Sequence, residues 1–77
     1  MISEFIQVDL YFDDRVNHKR FRLSDIISYG ITIYDDSQCI YYLRLKATEY
    51  NSGKVRCDDH EAIMWKKVID YIDSILL

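Results

Sequence analysis

The sequence predicts an α+β fold, an antiparallel sheet of four to five strands arranged as a meander with one C-terminal amphipathic helix packed on one face. Three observations support this prediction. Apolar and polar residues alternate near the N-terminus, turn-forming residues divide the middle of the chain into short β-branched and aromatic runs, and apolar residues recur with helical spacing over residues 58–77. Strands followed by one helix are typical of a two-layer α+β domain.

The first two strands are predicted to form a hairpin. Every second residue is apolar over residues 4–12, which places one row of side chains on a core face. That row is Ile6, Val8, Leu10 and Phe12. Residues 13–18 are interpreted as a polar connection and residues 19–23 as the second strand, with Phe21 and Leu23 facing the core.

The remaining strands follow a stretch whose structure the propensities leave open. Residues 24–30 begin with Ser and end with Gly, so they are interpreted as a connection. Residues 31–34 and 39–47 are β-branched and aromatic and flank a polar turn, which predicts the third and fourth strands. The turn signal at residues 51–53 predicts a short fifth strand over residues 54–57.

The C-terminal helix has the clearest pattern in the chain. Its apolar residues occupy one continuous arc at 3.6 residues per turn, and Asp58 and Glu61 are spaced as a capping box at its start. The arc contains Ala62, Met64, Trp65, Val68, Ile69, Tyr71, Ile72, Ile75 and Leu76. Met64 and Tyr71 lie at its edge and Ile63 lies on the polar side, so these three form a predicted secondary interface.

Composition limits the class of protein. With 77 residues, 49% hydrophobic and 30% charged, residues 1–77 are expected to form a single compact domain. A chain this short buries only about 60% of its unfolded surface, so a homodimer would add stability. Two dispersed cysteines without a signal-peptide pattern favour a cytoplasmic protein, and no apolar run reaches the roughly 18 residues that span a membrane.

The charge distribution points to a partner surface. The net charge is −3, yet residues 15–56 carry eight Lys and Arg against four Asp and Glu. The predicted outer face of the sheet combines aromatic rings with cations, and we call it the tyrosine–arginine face. It comprises Tyr11, Arg20, Arg22, Tyr34, Tyr42, Arg44 and Lys46.

Two functions are consistent with the tyrosine–arginine face. Tyr and Arg are enriched at protein interfaces, which predicts a non-enzymatic inhibitor or adaptor that occupies a surface of a larger protein. The size would suit a protein encoded by a phage or other mobile element. Alternatively, rings that stack on bases and cations that bind phosphates would form a single-stranded nucleic-acid surface. An ordinary solvated sheet face also carries these residue types.

A metal or catalytic site is the third hypothesis. Cys57 and His60 have the spacing of a ligand pair that Cys39 and His18 would complete, and the same pair has the chemistry of a nucleophile and base. No second close pair and no orienting third group accompany them. Cys57 is therefore interpreted as a small buried hydrophobic residue, and we predict no catalytic residues, no metal and no cofactor.

Overall fold

The computed structural model describes residues 4–77, which form six strands, one 3₁₀ helix and one α-helix. In chain order these are β1 (Phe5–Phe12), β2 (Arg15–Arg22), the 3₁₀ helix (Leu23–Asp25), β3 (Ile26–Ile33), β4 (Gln38–Leu45), β5 (Glu49–Asn51), β6 (Val55–Arg56) and α1 (His60–Leu76). The α+β class, the antiparallel pairing and the C-terminal helix are confirmed.

The first hairpin is tighter than the sequence suggests. β1 and β2 pair in continuous antiparallel register from Phe5 opposite Arg22 to Phe12 opposite Arg15. Only Asp13 and Asp14 connect them, with φ of 54° and 60°. Two positive φ values are typical of a type I′ turn, whose twist matches the twist of the strands. The predicted connection over residues 13–18 is therefore wrong, because Asp tolerates the left-handed conformation and lets β2 begin at Arg15.

The strands belong to two sheets, whereas the sequence predicts one meander. β1 and β2 form the first sheet; β3, β4 and β5 form the second, in which β6 also pairs with β4. The 3₁₀ helix leads out of β2, and β3 begins at Ile26, so residues 24–30 are mostly strand rather than connection. A register shift between Ile26 and Ser28 accommodates the irregular start of β3.

The core lies between the inner faces of the two sheets and α1. Alternate residues of β1 and β4 and five residues of the predicted arc of α1 supply most of it. The predicted facing of β1 is confirmed, whereas Tyr71, Ile75 and Leu76 of the predicted arc are exposed. The buried residues are Ile6, Val8, Leu10, Phe21, Cys39, Tyr41, Leu43, Leu45, Ala62, Trp65, Val68, Ile69 and Ile72. No helix within residues 4–77 has the length and apolar character that crossing a membrane requires.

The helix begins one residue later than predicted. Asp59 is the N-cap, and no side chain makes a capping hydrogen bond, so the predicted Asp58–Glu61 capping box is wrong. The Asp58 carboxylate lies 3.4 Å from the Arg56 guanidinium instead. The Ile63 amide donates to the Asp59 carbonyl at 3.0 Å and closes the first turn.

The hairpin turn yields the first prediction. Asp14→Gly should raise the free energy of unfolding by about 0.5–1 kcal/mol, because Gly adopts positive φ without the steric cost that Asp bears. Urea unfolding would measure the change. Asp36→Gly is the control, since Asp36 has no positive φ and Gly there should be neutral or destabilising. Equal effects of the two substitutions would contradict the I′ assignment.

Candidate functional site

The structure divides the tyrosine–arginine face between two sheets. Arg20 and Arg22 project from the outer face of the β1–β2 hairpin, since they pair with Gln7 and Phe5 rather than with buried residues. Their predicted companions lie elsewhere, with Tyr42 and Arg44 on the outer face of β4, Tyr34 in the turn after β3 and Lys46 just after β4. Both sheets turn their inner faces to one core, so the seven residues do not share the face of one sheet.

Several members of this face already have partners within the chain. The Arg22 guanidinium lies 5.1 Å from the Phe5 ring centroid, and the Lys54 ammonium lies 4.0 Å from the Tyr34 ring centroid. Such cation–π contacts hold the rings and cations in place. Lys46 lies 4.0 Å from the Asp25 carboxylate. Phe5 and Lys54 are absent from the predicted surface because cross-strand and cross-turn contacts leave no mark in a linear pattern.

Tyr11 lies at the contact between β1 and α1. The buried Trp65 donates its indole N–H to the Tyr11 carbonyl at 2.7 Å. The Tyr11 ring meets the His60 ring edge to face, with centroids 6.2 Å apart. Tyr11 is half-buried as a result, and it connects the strand to the first turns of the helix.

Beside this contact, the outer edge of β1 carries backbone N–H and C=O groups without a strand partner among the described residues. The Leu23 amide donates to the Glu4 carbonyl at 3.0 Å, so Glu4 and Leu23 form a hydrogen-bonded pair. Hydrogen-bonded and non-hydrogen-bonded residue pairs alternate along two antiparallel strands. The N–H and C=O groups of Val8 therefore point toward β2, and those of Gln7 and Asp9 point away from it. Within residues 4–77, β1 pairs with β2 alone, so the outward N–H and C=O groups of Gln7 and Asp9 have no strand partner.

A groove of about 500 Å³ runs between this edge and α1, and we call it the β1–α1 groove. Strand residues form one wall and one side of the helix forms the other. The lining residues are Gln7, Val8, Asp9, Val16, His60, Met64, Lys67, Val68 and Tyr71. Met64 and Tyr71, predicted as a secondary interface, therefore lie together, whereas the third member, Ile63, is outside the lining and 47% exposed.

The charged side chains that line the groove differ in their partners. The Asp9 carboxylate lies 2.6 Å from His18 Nδ1. Lys66 pairs with Asp70 at 2.8 Å, but its neighbour Lys67, which lines the groove, makes no ion pair within residues 4–77. The groove thus combines an apolar wall with the Lys67 ammonium, which has no acidic partner among the described residues, and the Asp9 carboxylate, which is hydrogen-bonded to His18.

The residues considered for zinc or nucleophilic chemistry do not form one site, although the two cysteine thiols lie within hydrogen-bonding contact of each other. His18 lies beside Asp9 and His60 beside Tyr11, and residues 4–77 contain no group of three His, Cys, Asp or Glu placed to hold a metal ion. Both cysteines are free; Cys39 is buried, and Cys57 is exposed, so its prediction as a buried residue is wrong. Burial, followed by a hydrogen bond with Cys57, raises the pKa of the Cys39 thiol to about 11.

Comparison with protein-family models, curated proteins and solved structures gives no match for this chain.

The two thiols should differ sharply in reactivity. Iodoacetamide at pH 8 should alkylate Cys57 and leave Cys39 unmodified, because a thiol whose pKa is about 11 is only about one part in a thousand thiolate at that pH and is also buried. Alkylation of Cys39 should appear only as the pH approaches its pKa or after unfolding. Peptide mass spectrometry would measure both sites, with Cys57→Ser as the single-thiol control. Equal labelling at pH 8 in folded protein would contradict the packing described for β4.

Proposed function

We propose that this chain is a non-enzymatic protein-binding module that captures an extended segment of a larger protein in the β1–α1 groove. The observation that carries the proposal is the unpaired outer edge of β1 running along an apolar wall. Free N–H and C=O groups at alternate residues of an extended strand match the groups of a second extended backbone. Strand addition at this edge would use Gln7 and Asp9 for main-chain hydrogen bonds.

The helix side of the groove supports selection among such segments. Alternate side chains of an added strand point to the same side, and those facing α1 would contact Met64, Val68 and Tyr71. Met adapts its shape to different apolar partners, and Tyr contributes a large contact area at low entropic cost. We therefore expect apolar side chains at alternate positions of the captured segment.

Charge adds a second preference. Lys67 and Asp9 line the groove; the Asp9 carboxylate is hydrogen-bonded to His18, whereas Lys67 has no acidic partner within residues 4–77. An acidic side chain in the captured segment would compensate Lys67, and exposed pairs of this kind contribute mainly to specificity and association rate. A protein that holds such a segment of a larger partner would act as an inhibitor or an adaptor.

Single-stranded nucleic-acid binding is the second candidate, and one observation favours it. Phe5 is 55% exposed, with Arg22 against its ring and Arg20 on the same outer face of the hairpin. An exposed ring flanked by guanidinium groups suits a base and its phosphates. Affinity for labelled oligonucleotides that falls steeply with salt would support this candidate.

The proposal is tested with peptides selected from a displayed random library against the wild-type chain. Gln7→Pro removes an outward N–H while leaving the β1–β2 hydrogen bonds in place, and Met64→Asp places a carboxylate in the apolar wall. Each should weaken peptide binding by about tenfold or more, equivalent to about 1.4 kcal/mol. Fluorescence anisotropy would measure the dissociation constants.

The matched control is Ile63→Asp, because Ile63 adjoins Met64 in sequence but lies outside the groove. It should leave peptide affinity unchanged. Circular dichroism would establish that each variant is folded. Peptide affinity could instead fall on Tyr42→Ala or Arg44→Ala and stay unchanged on Gln7→Pro or Met64→Asp. That result would show that peptides bind the tyrosine–arginine face and would contradict binding in the groove.

A further inference from the structure

We propose that the outer edge of β3 binds the same edge of a second copy of this chain. The sheets that contain β3, β4 and β5 in the two copies would then join across a twofold axis. This surface is separate from the β1–α1 groove, and the inference does not depend on the proposed function. Its evidence is the backbone of β3, the absence of charge along it and the exposure of its apolar side chains.

The outward groups of β3 follow from its register with β4. The Tyr34 amide donates to the Gln38 carbonyl at 2.9 Å, in the same register that places Ile33 opposite Cys39. Alternation then directs the backbones of Ile33, Ile31 and Tyr29 away from β4. Within residues 4–77, β3 has no strand on that side, so these N–H and C=O groups form an open edge.

This edge lacks the usual protection against pairing. Residues 26–34 contain no charged residue and no proline. The other strands at sheet edges carry charges, such as Asp9 on β1 and Lys19 on β2. Exposed edges are normally blocked by charges, proline or short strands, because an open apolar edge pairs with another chain. A neutral eight-residue edge therefore indicates a surface that is covered.

The inner face of this sheet is buried at β4 but exposed at β3. Ile31 is opposite the buried Tyr41, yet Ile31 is 43% exposed; Ile33, beyond it on the same face, is 65% exposed. The helix covers β4 but leaves these two isoleucines open. Apolar surface next to a completed core is typical of an interface between subunits.

A second copy is the occupant that these features fit. The residues of β3 carry no charge that calls for a complementary partner, and the nearby Asp73 carboxylate already accepts a hydrogen bond from the Tyr29 hydroxyl at 2.6 Å. The edge also matches itself when two copies run antiparallel. Pairing about Ile31 places Ile31 of the two copies opposite one another and Ile33 of each copy opposite Tyr29 of the other. Self-matching of one surface is the property of an isologous twofold interface. The outer edge of β1 lies on the other sheet and stays free for a different partner.

Sedimentation velocity over micromolar to millimolar concentrations tests this inference. The wild-type chain should shift from monomer to dimer, and Ile31→Lys should remain monomeric, because the substitution puts two like charges opposite one another. Ile63→Lys is the matched control, since Ile63 is 47% exposed on α1 and should not affect dimerisation. Ile33→Lys is the second variant if Ile31→Lys fails to fold; Ile33 is 65% exposed, and the substitution should weaken dimerisation because it places a charge against Tyr29 of the other copy.

Charge complementation tests the twofold pairing directly. Ile31→Lys and Ile31→Glu should each be monomeric alone, whereas an equimolar mixture should form a heterodimer, because residue 31 faces itself across the axis. A wild-type chain that stays monomeric throughout the concentration range would overturn the proposal. So would equal effects of Ile31→Lys and Ile63→Lys. A mixture that stays monomeric would overturn the pairing about Ile31.

Discussion

The hydrogen bond between the Trp65 indole and the Tyr11 carbonyl sets the relation of the helix to the strands. It joins residues 54 positions apart at 2.7 Å, and Trp65 is wholly buried. A buried indole N–H without an acceptor is costly, so the helix must keep Trp65 against the outward side of β1. That hydrogen bond satisfies the outward carbonyl of Tyr11. The next outward N–H and C=O groups of β1, those of Asp9 and Gln7, lie beside the helix without a strand partner within residues 4–77. The β1–α1 groove is the consequence.

Much of the fold is predictable because two periodicities dominate it. The two-residue alternation of β1 predicts that Ile6, Val8 and Leu10 face the core, and the 3.6-residue spacing of α1 predicts the burial of Trp65 and its neighbours. Both patterns mark buried positions, because residues that face the core are apolar. The tight turn at Asp13 and Asp14 and the early start of β3 escape prediction. They depend on local backbone conformations that several residue types tolerate.

The candidate site is predictable only where it consists of side chains on one element. Met64 and Tyr71 stand at the edge of the helical arc, and that position places them in the groove. The tyrosine–arginine face assumes one continuous sheet, and the division into two sheets separates Arg20 from Tyr42. The backbone groups of Gln7 and Asp9 leave no trace in the pattern of side chains, because any residue supplies an N–H and a C=O. Only the pairing of strands reveals which of them are free.

Amide hydrogen exchange of the free chain, resolved by residue with NMR, tests the central claim that the outer edge of β1 is open. The amides of Val8 and Leu10 should exchange slowly because they bond to β2, and those of Gln7 and Asp9 should exchange rapidly because they face the groove. A bound peptide should then slow Gln7 and Asp9 selectively. Exchange at Gln7 and Asp9 as slow as at Val8 in the unbound chain would show that the edge is already paired and would contradict the account.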